Sequence, residues 1–344
     1  MALRSGCKAW PLRIATQGHG TMKPRSHRHL DPPSSLAMQS LWMLFAAFSF
    51  SLMGVGVKLA SEFYTTGEIV FYRSVIGVAI MWALMASTGV SVRTPHMLTH
   101  IKRSVFGVTA LLLWFTSITL LPLATAMTLN YMSPVWIALI LGASAALAGT
   151  AANADKKLII AILMSFAGVL FLLQPSVGKD QFTGGLVGLI SGMFTALAYV
   201  EVRQLGQLGE PEHRIVFYFS AVGMVVGLVW MLYSGPTAHT WHGAGLLAAI
   251  GILATLGQTA MTRAYKRGNT LLTANLQYAG IVFSSIWGML IWSDRLNWIS
   301  WLGMGLIIAS GIATTLARAR QDSGEEPTPD TPVKSPEAEV HPEV

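Results

Sequence analysis

The chain has 344 residues, 53% of them hydrophobic and only 11% charged, with a net charge of +7. Water-soluble domains carry roughly 25% Asp, Glu, Lys and Arg, so this chain has too few charges to coat a hydrated surface. Its single cysteine, Cys7, excludes an internal disulfide framework and a cysteine metal site, and basic residues scattered over several loops argue against a nucleic-acid partner.

In chain order, residues 1–37 are polar and basic, with Arg4, Lys8, Arg13, Lys23, Arg25 and Arg28 against Asp31. They lack the apolar core of a signal peptide. They read as a disordered cytoplasmic tail, with Met22 and Met38 as alternative starts. Ten apolar segments follow, at about 40–60, 68–88, 102–121, 124–148, 157–174, 183–203, 213–233, 243–264, 270–292 and 298–317. A helix needs about 20 residues to cross roughly 30 Å of hydrocarbon. Pro122 separates the third segment from the fourth, because proline lacks the N–H that would continue a helix. Pro134 predicts a kink within the fourth, a candidate hinge. Gly184, Gly188 and Gly192 recur every four residues in the sixth and predict a flat face for a close helix contact. Residues 319–344 are rich in Pro, Glu, Asp and Thr and read as a second disordered tail.

Ten spans put both termini on one side. The basic tail, Arg93/Lys102/Arg103, Lys156/Lys157, Arg203/Arg214, Arg263/Lys266/Arg267 and Arg318/Arg320 then all fall on that side, which the positive-inside rule makes cytoplasmic. A repeat divides the spans. Ile69-Val70-Phe71-Tyr72-Arg73-Ser74 opens the second and Ile215-Val216-Phe217-Tyr218-Phe219-Ser220 the seventh, with Gly77 and Gly223 at the same offset. Thr125, Thr128 and Asn130 correspond to Thr270, Thr273 and Asn275. An odd number of spans per repeat inverts the second half. The predicted fold is therefore all-α and membrane-embedded, ten helices in two inverted five-helix repeats (38–177 and 178–318), an alternating-access layout.

Several segments resemble the EamA-type branch of the drug/metabolite transporter superfamily. They are Glu68-Ile69-Val70-Phe71-Tyr72-Arg73-Ser74, Leu121-Pro122-Leu123-Ala124-Thr125-Ala126 with Met132-Ser133-Pro134-Val135, and Ala264-Tyr265-Lys266-Arg267-Gly268. The resemblance covers about 38–317. It implies a central cavity lined mainly by spans 1, 3, 4, 6, 8 and 9, and export of a small metabolite (amino acid-like, an amine or drug-like) across a plasma membrane, the inner membrane of a bacterium. The chain departs from the family where the first half reads Ala148-Gly149-Thr150, without the usual acid.

Polar groups inside spans are the candidate solute contacts, because facing lipid they would go unsatisfied. They are Asn130, Asn275, Gln258, Gln277, Tyr131, Tyr199 and Tyr278, with Trp114 as an aromatic wall. Interhelical hydrogen bonding accounts equally well for Asn130 and Asn275. Arg73 is expected about one turn inside the outer face, at the cavity mouth, within near reach of Glu68, a gating candidate. Snorkelling to the interface is the competing account of Arg73.

The partners expected are a small-molecule solute and the bilayer. A coupling proton and facilitated diffusion both stay open. No P-loop and no cofactor motif occurs. The rival classes are a membrane-embedded enzyme and a receptor or scaffold. The enzyme lacks His-Glu-x-x-His and Gly-x-Ser-x-Gly, and all nine histidines read as tail or loop residues.

Overall fold

The computed structural model describes residues 39, 41–137, 139–140, 156–173, 179–268, 273 and 275–324. The tail expected at 1–37 lies outside them, as do residues 325–344 of the tail expected at 319–344. The helices are α1 (Trp42–Ala60), α2 (Thr66–Thr88), α3 (Met97–Leu120), α4 (Leu123–Asn130), α5 (Lys156–Leu173), α6 (Lys179–Gln207), α7 (Glu212–Ser234), α8 (Trp241–Arg267), α9 (Ala279–Trp292) and α10 (Trp298–Gly324). No strand occurs among the described residues. Helix α10 runs past the expected end at 317, through the good helix formers of Leu316-Ala317-Arg318-Ala319-Arg320.

Local chemistry sets the boundaries. Thr65 caps α2, its side chain accepting from the Glu68 N–H while Glu68 accepts from the Thr65 N–H. The same helix stops at Gly89, whose φ of 67° is a left-handed conformation that glycine adopts without strain. Thr240 caps α8 by accepting from the Gly243 N–H. Pro122 and Pro211 stand just before α4 and α7, where a missing N–H costs nothing.

Helices α1, α2, α3, α6, α7 and α8 contain stretches long and apolar enough to cross a bilayer, and shorter apolar helical stretches occupy 163–172, 279–292 and 298–313. Trp82, Leu163, Leu170, Val225, Val229 and Leu290 are exposed on helix surfaces. In water such a surface would associate; in a bilayer it is the lipid face.

Side-chain contacts sort the loops into two ends. At end A, Glu68 accepts from the backbone N–H of Thr237 at 2.7 Å, and Lys58 Nζ donates to the Leu121 carbonyl at 3.2 Å and lies over the Trp292 ring at 4.9 Å. At end B, Thr94 donates to Glu210, Arg214 to the Ser91 carbonyl, and Lys266 to the Glu210 carbonyl. Segments 61–65, 121–122, 235–240 and 292–294 thus share one end, and 91–94, 208–211 and 266–268 the other.

Packing is largely unchanged when each helix is exchanged for the one five places on. α3 packs on α6 as α8 packs on α1; α8 on α2 as α3 on α7; α9 on α1 as α4 on α6; and α2 with α7, α5 with α10 and α4 with α9 are pairs that map onto themselves. The sequence repeat lies at the α2–α7 crossing. A Cβ added to Gly77 would stand 2.6 Å from Ser220 Oγ, and one added to Gly223 would stand 2.6 Å from Ser74 Oγ. The glycines of the sixth segment pack as their spacing predicts. Gly184 sits against Leu120 and Leu121, Gly188 against Ser117 and Leu129, and Gly192 against the Leu129 carbonyl.

The fourth segment was expected as one kinked helix over 124–148. It is broken instead: α4 ends at Asn130, and helix resumes at Ser133. Pro134 cannot donate to the Asn130 carbonyl, and short bonds from Met132 to Leu129 and from Val135 to Met132 span the break. A like break precedes α9, where Tyr278 bonds back to Asn275 and Gly280 to Gln277. The second half has Ala279 rather than proline there, so proline alone does not cause the interruption. The two breaks meet where the Tyr131 ring packs on Gly280.

Candidate functional site

Inside the bundle lies a cavity of about 530 Å³ of space free of atoms, its open mouth included. Its walls come from α1, α2, α3, α6, α7 and α8, and from the break after α4. Six of the sequence-predicted residues line it: Arg73, Trp114, Asn130, Tyr131, Tyr199 and Gln258.

Asn130 is fixed by its neighbours. Its Nδ2 donates to Ser191 Oγ at 3.1 Å and to Thr195 Oγ1 at 3.0 Å, both on α6. Gln258 accepts from Arg103 Nη2 at 3.1 Å. Tyr199 packs on Tyr265 with ring centroids 5.1 Å apart. Behind that wall the Tyr265 hydroxyl donates to Gln277 Oε1 at 3.3 Å. Gln277 and Tyr278 are buried and Asn275 half-buried, yet none of the three lines this cavity. Tyr278 instead fills the space that Gly311 leaves on α10. Pro134 is buried in the first turn of the helix that resumes at Ser133.

Two expectations about charge are corrected. Arg73 does not pair with Glu68. Helix α2 begins at Thr66, which puts Arg73 about two turns inside, and Glu68 is fully buried in its cap and its bonds to Thr237. His100 is not a loop residue. It lies in α3, 1% exposed, with Nε2 3.3 Å from Glu210 Oε2.

Sequence reasoning missed Arg103 and Phe219. Arg103 reads as a loop charge beside Lys102, but α3 starts five residues earlier than expected and carries it into the cavity. Its side chain folds back over Gly107, where an added Cβ would collide with Nη1. That arginine-to-glycine spacing of one turn was the available signal. Phe219, the repeat counterpart of Arg73, lies beneath both cations: the Arg73 guanidinium is 5.3 Å and the Arg103 guanidinium 4.1 Å from its ring centroid.

Glu210 organises end B. It accepts from Thr94 Oγ1 at 2.6 Å and Arg214 Nη1 at 2.8 Å, close to His100. Burial pushes its carboxyl up, but the bonds from Thr94 and Arg214 and the arginine's charge outweigh burial and hold it below the usual carboxylate range. Among the described residues no group of three His, Cys, Asp or Glu is placed to hold a metal ion.

The EamA-like transporter family matches residues 37–174 and 182–316, one stretch in each half. The pseudopaline exporter CntI of Pseudomonas aeruginosa (strain UCBPP-PA14) is 35% identical over 276 residues, 79% of this chain and 94% of its own. A transporter of Helicobacter pylori (strain J99) is 27% identical over 295 residues, 80% of this chain and 93% of its own. A riboflavin transporter of Vibrio cholerae is 23% identical over 291 residues, 79% of this chain and 90% of its own. One crystal structure superposes with a TM-score of 0.58 at 20% identity over 85% of this chain and all of that one, a likeness of fold. The family match across both halves and the 35% identity to an exporter show that this multi-pass membrane transporter belongs to the EamA-like transporter family.

Proposed function

We propose that this transporter moves a small organic metabolite outward by alternating access, with Arg73, Trp114, Asn130, Tyr131, Tyr199 and Gln258 as solute contacts. The observation that carries the reading is the packing symmetry between helix n and helix n + 5 around a shared cavity. Halves that pack alike can exchange conformations and present one site to each side in turn. Ten spans in two inverted repeats, 38–177 and 178–318, fit that symmetry and the opposed ends of the loops. Glu68 at end A and the broken segment around Pro134 are the gating elements of this scheme. Arg93, Arg203, Arg214, Lys266 and Arg267 gather at end B, which supports a cytoplasmic end B and cytoplasmic termini in a plasma membrane. The resemblance to an exporter supports the outward direction.

Two measurements test this. In a Cys7→Ser background, Ser91→Cys should react with an impermeant maleimide only from the cytoplasmic side, and Ala238→Cys only from outside. Labelling of both from one side refutes the inverted arrangement. Metabolites that accumulate in the medium of expressing cells should be released from loaded proteoliposomes holding the purified protein. Release equal to that of empty liposomes refutes transport through this protein.

A further inference from the structure

Two arginines converge inside this protein, and no acid among the described residues pairs with either. Arg73 is 3% exposed and Arg103 2%, and both lie over the ring of Phe219. None of the ion pairs among the described residues includes either of them. The one hydrogen bond found there to either guanidinium is the Arg103–Gln258 contact. Arginine does not shed its proton in proteins, and an unpaired buried ion costs several kcal/mol. The cavity is therefore electrically incomplete as it stands.

The hydrogen-bond inventory points the same way. Arg73 Nε, Arg103 Nε, Arg103 Nη1 and Trp114 Nε1 are buried and without an acceptor among the described residues. All four are donors, and all belong to residues that line the cavity. A ligand that satisfies them supplies acceptors and negative charge. A guanidinium pairs best with a carboxylate, which takes two of its N–H groups at once. Phe50, Met53 and Met261 in the same wall suit a carbon skeleton between two such groups.

We infer that the solute is a small organic acid bearing two carboxylates, one held at Arg73 and the other at Arg103. The assignment rests on the cavity being the transport site and names the class of solute that it takes. A cation or a neutral solute would leave both charges unbalanced; a single carboxylate would leave one.

Purified protein in detergent is titrated with succinate, citrate, succinamide, putrescine and inorganic phosphate, and the unfolding temperature is followed by tryptophan fluorescence. Succinate or citrate should raise it, because a ligand of the folded state stabilises that state; succinamide and putrescine should not. Arg73→Gln and Arg103→Gln should each weaken dicarboxylate binding roughly tenfold or more, the loss expected for one charge-assisted bond. The dicarboxylate-against-diamide contrast is read on the unmodified protein, so the test holds even where a variant fails to fold. Equal shifts with succinate and succinamide, or no shift with either acid, overturn the inference. A shift with phosphate alone overturns it in favour of a free inorganic anion. Proteoliposome flux separates the two readings. Dicarboxylate binding without flux sinks transport through this cavity and leaves only the dicarboxylate as its ligand. Flux of a neutral solute that Arg73→Gln does not alter, with no dicarboxylate binding, does the reverse.

Discussion

Gly192 holds the closest approach between α6 and the broken segment, and replacing it with alanine tests how that break is supported. The added Cβ would stand 2.7 Å from the Leu129 carbonyl oxygen and 3.2 Å from that of Asn130. Ordinary contact begins at 3.4 Å, so α6 and the break must separate by about 0.7 Å. Backbone cannot rotate out of the way as a side chain can. Overpacking of this kind costs about 1–3 kcal/mol, and the higher helix propensity of alanine returns about 1 kcal/mol. The net loss is about 0–2 kcal/mol. Gly245 on α8 serves as the reference, since an added Cβ meets nothing within 4 Å; Gly245→Ala should gain about 0.5–1 kcal/mol. At Gly188 the nearest atom is the Ser117 hydroxyl, the rotatable end of a side chain, so alanine there should cost less than at Gly192. Unfolding in detergent micelles, followed by tryptophan fluorescence, gives the ranking. Gly192→Ala as stabilising as Gly245→Ala, or more stable than Gly188→Ala, refutes the assignment of that glycine to carbonyl clearance.

Three further outcomes are expected. Because Glu210 is held below its ordinary range, its contribution to stability is fully present above the unfolded carboxylate value, about 4.3. It is lost as pH falls through the lower folded value. Glu210→Gln should therefore destabilise the protein at neutral pH by about 1–3 kcal/mol and flatten the acid side of its stability profile, measured as unfolding temperature against pH. Asn130→Ala removes two interhelical bonds, each averaging about 0.6 kcal/mol in a membrane, and should cost about 1 kcal/mol in the same assay; no loss would show that Ser191 and Thr195 do not hold the amide. Thr65→Ala removes the α2 cap, with an expected cost of about 1 kcal/mol, and should raise hydrogen exchange at the start of α2 without touching end B.

The helix pattern was readable where long apolar runs met punctuation. α1, α2 and α7 begin and end within one or two residues of their expected limits, because Gly89, Pro211 and short polar turns mark them, and α9 ends at its expected limit of 292. The α2–α7 relation was readable in the Ile-Val-Phe-Tyr repeat. Arg103 was not, because an arginine beside a lysine near the start of an apolar run is indistinguishable from a loop charge until the helix start is known. His100 was missed for the same reason. The α9 break carried no proline signal. The three residues Asn275, Gln277 and Tyr278 were grouped with Asn130 by composition, yet the packing of α9 directs them elsewhere. Polarity in a span marks a residue that must face protein, and only packing decides which part of the protein that is.

The serine–glycine crossing of α2 and α7 has a mechanical consequence. The helices run in opposite directions, and Ser74 meets Gly223 as Ser220 meets Gly77. Axial slip of one helix past the other would displace both contacts by the same amount, so neither can relax at the other's expense. The pair acts as two matched pins. They hold the register of α2 against α7, and the close approaches of Gly227 to the Phe71 backbone and of Gly67 to Trp230 extend that hold along both helices.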